Sequence, residues 1–113
     1  MKTEAQIGLF LAMVKHAVEE NGVILVPRDE SMRFLAERGM TVRELEGIIL
    51  SLEWRDCFDG PEPDRDSRYH DWTVAEFCPT YDEEKIYLKL SVKVQDNRCK
   101  CLSVKVYTER EVA

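Results

Sequence analysis

Residues 78–92 read CPTYDEEKIYLKLSV. An acidic turn at Asp82 to Glu84 leads into a segment in which Ile86, Leu88, Leu90 and Val92 alternate with Tyr87, Lys89, Ser91 and Lys93. A period of two predicts a strand with one face packed against a core and the other left open. The pattern runs from Ile86 to Gln95, with Val94 expected inward, and Asp96-Asn97-Arg98 supplies residues that tolerate a hairpin turn. A further strand is expected over Cys99 to Tyr107, with Leu102, Val104 and Val106 inward and Cys101, Ser103, Lys105 and Tyr107 outward. Tyr69 to Phe77 reads as the strand before them. Together they form a meander whose open face gathers Tyr87, Lys89, Lys93, Lys105 and Tyr107.

Upstream the period changes from two to between three and four. Ile7, Leu11, Val14 and Val18 predict an amphipathic helix over Ala5 to Glu20, ended by Asn21-Gly22. Val23 to Val26 is a short β-branched run stopped by Pro27, which suits an edge strand. A second helix follows, with Asp29 as its cap and Gly39 as its end. Thr41-Val42-Arg43-Glu44 is a capping box for a third helix, whose apolar stripe is Val42, Leu45, Ile48, Ile49 and Leu52. Asp59 to Arg68 carries two prolines, a glycine and alternating charges, and is expected to be an exposed loop. Helices first and strands after predict one α+β domain over 1–113, an antiparallel β-sheet with helices packed on one face.

The totals narrow the function classes. With 113 residues, 44% hydrophobic and 34% charged, the composition is that of an ordinary globular chain. The segment near the start carries an acid at Glu4 and its apolar residues keep helical spacing, so it reads as a helix of the mature protein and the expected location is cytoplasmic, with no membrane partner. The four cysteines, Cys57, Cys78, Cys99 and Cys101, are expected as reduced structural thiols, with neither a metal site nor a cofactor. The net charge of −6 argues against bulk electrostatic coating of nucleic acid. The charge is uneven, however. Residues 85–110 hold seven basic and two acidic side chains, a local balance of +5 against −11 for the rest. Such a basic segment is either an anion-binding patch or a solubilising strand face.

In order and spacing the chain resembles the MqsR family of bacterial toxins, within the larger RelE-like group of mRNA-cleaving ribonucleases. The resemblance covers about Val14 to Tyr107. It rests on Val14-Lys15, Arg38-Gly39, Ile48-Ile49-Leu50-Ser51-Leu52 and Asp56-Cys57-Phe58 in turn. Its clearest part is Phe77-Cys78-Pro79 followed, eight residues after the proline, by Tyr87-Leu88-Lys89. The resemblance implies a RelE-like fold, RNA as substrate, an antitoxin protein as partner and the ribosome as a further one. It also implies an active-site role for Tyr87. Three positions depart from the family: Asp59 and Tyr107 stand where it has lysines, and Thr73 where it has glutamine. Lys105 lies two residues before Tyr107 on the same expected face.

Metal-independent RNA cleavage needs a base for the ribose 2′-hydroxyl, cations for the phosphorane and an acid for the leaving oxygen. On that chemistry the candidate catalytic residues are Tyr87, Lys105 and His70, the last being the side chain best suited to proton transfer at neutral pH. Lys89, Lys93 and Arg68 are candidate phosphate-binding residues, and Tyr107 a base-stacking one. The plainer readings are a solvated loop histidine for His70 and a cross-strand packing residue for Tyr87. His16 reads as a helix-surface residue. No glycine-rich phosphate loop, nucleophile elbow or histidine pair at metal spacing competes. Two functions are therefore expected: an antitoxin-controlled endoribonuclease, or a catalytically silent interaction protein on the same fold that binds a protein or RNA partner.

Overall fold

The computed structural model describes residues 2–109. Helix α1 spans Glu4–Asn21 and opens with a capping box in which Thr3 and Gln6 satisfy each other's backbone N–H. It buries Ile7, Phe10, Leu11, Val14, Ala17 and Val18, a stripe at helical spacing. Strand β1 (Val23–Leu25), helix α2 (Asp29–Arg38) and helix α3 (Val42–Leu50) follow. Thr41 and Glu44 form the expected capping box of α3. Asp29 is not a cap: it lies in the first turn of α2, where a carboxylate complements the helix dipole without bonding it, and Arg28 holds the cap position.

Five further strands are β2 (Cys57–Pro63), β3 (Thr73–Phe77), β4 (Thr80–Tyr81), β5 (Glu84–Lys93) and β6 (Arg98–Val106). The sheet order is β1-β6-β5-β3-β2, with β4 pairing β5 at its start. All pairs are antiparallel except β1 with β6. Ala75, Phe77, Ile86, Leu88, Leu90, Val92, Cys99, Cys101 and Val104 form one cluster with the buried residues of the three helices. The chain is thus α+β, a mostly antiparallel sheet with its core on the helical face. No helix among the described residues is long and apolar enough to cross a membrane.

The strands depart from the sequence expectation in four places. Residues 59–63 belong to a strand rather than a loop: β2 pairs with β3 through Asp59↔Glu76, Glu62↔Val74 and Pro63↔Thr73. The prolines and Gly60 mark its irregular register, which an outermost strand tolerates because one of its sides needs no partner. Strand β3 starts at Thr73, after a turn of 3₁₀ helix at Ser67–Tyr69. Strand β5 ends at Lys93, so Val94 lies in a 3₁₀ turn and is exposed instead of facing inward.

The largest departure is in β6. The register passes from Lys89↔Ser103 to Leu90↔Cys101, leaving Leu102 as an extra, bulged residue. One added residue inverts parity, so Cys99 and Cys101 are fully buried on the helical face together with Val104. Cys101 is therefore not an outward residue, and Leu102 is only half-buried. Val106, although on the inward parity, is exposed near the end of its strand. On the other face the bulge leaves Lys100 opposite Ser91, Ser103 opposite Lys89 and Lys105 opposite Tyr87.

Strand β1 ends where α2 begins to cover β6. Val26 N–H still bonds the Cys101 carbonyl at 3.0 Å, but Pro27 turns the chain away. The next inward-facing residue of β6, Val104, donates its N–H to the Oγ of Ser31 on α2, also at 3.0 Å. A helix side chain thus continues what a strand began.

Candidate functional site

Register places one row of side chains across four strands on the face away from the helices: Asp59 on β2, Glu76 on β3, Lys89 on β5 and Ser103 on β6. Tyr87 lies diagonally from Glu76, within reach of a long side chain. Its hydroxyl donates a hydrogen bond to Glu76 Oε1. Beside Tyr87, Lys105 brings its ammonium to 5.1 Å from the phenol ring and to 3.7 Å from Glu30 on α2. The Phe58 ring leans on Tyr87 at 6.1 Å and meets Tyr107 edge-on at 5.8 Å. Tyr87 is consequently buried even though it faces away from the helices.

Electrostatics single out Glu76. Its carboxyl is held above the ordinary carboxylate range, first by burial and then by the hydrogen-bonded Asp59 carboxyl, while Tyr87 and Lys89 pull the other way. A cleft of about 210 Å³ opens beside it, lined among others by Asp59, Glu62, Arg65, Glu76 and Lys89. Two carboxyls, a phenol and flanking ammonium groups next to a cleft make a proton-transfer constellation.

The far end of the same face carries a second cluster. Lys100 lies 4.1 Å from the Trp72 ring and 4.9 Å from Tyr69, pinning the 64–72 segment to the sheet through cation–π contacts. His70 belongs here, its Nδ1 3.0 Å from the Ser67 carbonyl. Tyr87 and Ser91, the partner of Lys100, are four residues apart on β5, or about 13 Å at strand rise. Of the three candidate catalytic residues, the structure therefore brings together Tyr87 and Lys105 and leaves His70 in the other cluster.

The remaining candidates divide in the same way. Lys89 faces Glu76, and Tyr107 joins the Phe58 cluster with the Lys85 ammonium 5.4 Å from its ring. Lys93 is clamped by Asp96 at 3.0 Å and Asp71 at 3.2 Å; the two carboxylates hold its ammonium charged to higher pH, and Lys93 in turn lowers the pKa of Asp71. Arg68 bonds Asp66 at 2.7 Å and depresses that carboxyl to about 2. Part of the positive charge of residues 85–110 is thus answered by carboxylates, Asp71 and Asp96 at Lys93 and Glu30 at Lys105.

Glu76 and Asp59 were not visible as site residues from sequence. Glu76 sits at a plain alternating position, and Asp59 lies in a stretch whose prolines signal a loop. The chain was compared with family models, curated proteins and solved structures, and none matches it.

Proposed function

We propose that this protein is a metal-independent endoribonuclease of the MqsR-like, RelE-like kind, acting in the cytoplasm and held in check by an antitoxin. The observation that carries the reading is the Tyr87–Glu76 hydrogen bond beside an open cleft, with Lys105 and Lys89 flanking it. The Tyr87-Leu88-Lys89 register of the sequence resemblance supports it.

The chemistry balances within these groups. Glu76 takes the proton of a ribose 2′-hydroxyl, and its raised pKa makes it a stronger base than an exposed glutamate. The 2′-oxygen bonds to phosphorus, and the bond from phosphorus to the 5′-oxygen breaks, leaving a 2′,3′-cyclic phosphate. Tyr87 gives its proton to the departing 5′-oxygen, while Lys105 beside the ring stabilises the phenolate. Lys89 offsets negative charge on the phosphorane. Afterwards the proton on Glu76 returns to Tyr87 through their hydrogen bond, restoring both groups.

The test is incubation of purified protein with RNA in a chelator, with end-group analysis for cyclic phosphate. Wild type should cleave, and Tyr87→Phe and Glu76→Gln should each lose about 10²–10⁴-fold in rate. Intact RNA with wild type, or full activity in both variants, refutes the reading.

A second reading is favoured by one observation: Lys93 and Lys105 already face the protein's own carboxylates. A silent interaction protein needs no exposed cation for catalysis. On that reading wild type leaves RNA intact yet co-purifies with a protein or RNA partner.

A further inference from the structure

We propose that the cavity between the start of α1, the 3₁₀ turn Trp54–Asp56 and strand β2 is a nucleobase subsite selecting bases that carry an amino group. The proposal rests on the ribonuclease reading, because it supplies the substrate specificity of that same site. The cavity holds about 430 Å³; Ile7, Trp54 and Phe58 supply apolar wall, and Lys2, Arg55, Asp59 and Glu62 its charged groups. Its volume falls within the usual range for small-ligand pockets, about 300–1,000 Å³.

Three features fit a base. Trp54 is 41% exposed, a large share for an indole lining a concavity, and it offers a stacking surface. Phe58 is shared: it lines this cavity and also leans on Tyr87, so a ring seated here sits next to the proton-transfer pair. Asp59 and Glu62 line both this cavity and the cleft beside Glu76 and Lys89. Phosphate on one side of that shared wall and base on the other matches the connectivity of a nucleotide.

The carboxylates decide which base. A carboxylate only accepts hydrogen bonds, so it favours the exocyclic amino groups of guanine, adenine and cytosine. Uracil has no amino group, and its one N–H is flanked by two carbonyls that a carboxylate repels. Among the described residues Glu62 pairs loosely, 3.9 Å from an Arg65 that is itself almost fully exposed, which leaves its lone pairs available to a ligand. Asp59 sits directly across the β2–β3 register from Glu76, so Glu62 is the specificity-determining residue.

The experiment follows the indole N–H signals of Trp54 and Trp72 by NMR in the full-length labelled protein. The titrants are guanosine, adenosine, cytidine and uridine monophosphates, then short RNAs differing at one base. The Trp54 signal should shift saturably with the first three, binding at least about tenfold tighter than uridine monophosphate, while Trp72 stays still. Glu62→Gln should erase most of the discrimination, and Trp54→Leu, followed by the backbone amide of Phe58 in the same cavity, should weaken all four. A silent Trp54, equal affinity for uridine monophosphate, or unchanged ratios in Glu62→Gln overturns the proposal. Base-selective shifts at Trp54 with RNA left intact keep the pocket and sink the ribonuclease reading. Cleavage without base preference or Trp54 shifts does the reverse.

Discussion

Replacing Ser31 by alanine removes a single oxygen, and its effect can be worked out from the end of β1. Both Ser31 and Val104 are fully buried, and the Val104 N–H has the Ser31 Oγ as its acceptor at 3.0 Å. Among the described residues no strand lies beyond β6 at that point, because β1 stops at Leu25. Alanine leaves the N–H buried without a partner, which costs about 1–3 kcal/mol. At about 2.1 cal/mol/K per residue, the 113-residue chain has an unfolding entropy of about 0.24 kcal/mol/K near its midpoint. Each kcal/mol then lowers Tm by about 4 °C, for a total drop of about 4–13 °C. Calorimetry reads the shift directly, and urea titration should show a lower midpoint at constant slope. Met32→Ala, a change at an exposed position next in sequence, should stay within about 0.5 kcal/mol. A Ser31→Ala protein that melts within about 2 °C of wild type would refute the reasoning that α2 completes the edge of β6. The same variant reaches the candidate site, since Glu30, which faces Lys105, precedes Ser31 on that helix.

Two further tests concern the backbone and the thiols. Gly60→Ala should destabilise by more than about 2 kcal/mol in urea titration, because Gly60 has a φ of 80° and a new Cβ would come 2.6 Å from the Val74 carbonyl oxygen; a wild-type midpoint would show that β2 yields there without cost. Burial pushes the Cys99 and Cys101 thiols up to about 12 from 9.0. Below pH 9 both states keep these protons, and above it the unfolded chain loses them first, so stability should fall as pH rises from 9 toward 12. Each thiol contributes a limiting slope of about 1.4 kcal/mol per pH unit. Cys99→Ala/Cys101→Ala should be less stable near pH 8 but show a shallower alkaline decline; an identical decline would remove the thiols as its cause.

The helices and the central strands could be read from sequence because local periodicity and capping decide them. The Thr41/Glu44 box and the Ile86 to Val92 alternation each need only residues close in the chain. What escaped reading depends on distant partners. Leu102 looks like any inward residue until β5 fixes its register, and Asp59 looks like loop until β3 offers a ladder. Tyr87 and Lys105 were legible as a pair because strand parity and the hairpin place them opposite one another. Glu76 was not, since its significance comes from burial and from Asp59, seventeen positions earlier in the chain. His70 drew attention by chemical type alone, and type carries no position.

Two lysines of the open face arrive with their counterions built in. Lys93 is held by Asp71 and Asp96, and Lys105 faces Glu30. An anionic polymer meeting such a face exchanges places with tethered carboxylates and expels few ions from its own atmosphere per contact made. On the ribonuclease reading, RNA binding should therefore weaken only gently as salt is raised, with a slope well below the ~0.7 per contacted phosphate of a bare cationic surface on a single strand. Discrimination among RNAs would then rest on stacking at Trp54 and hydrogen bonding to Glu62, and would survive at ionic strengths that strip an ordinary basic protein from its target.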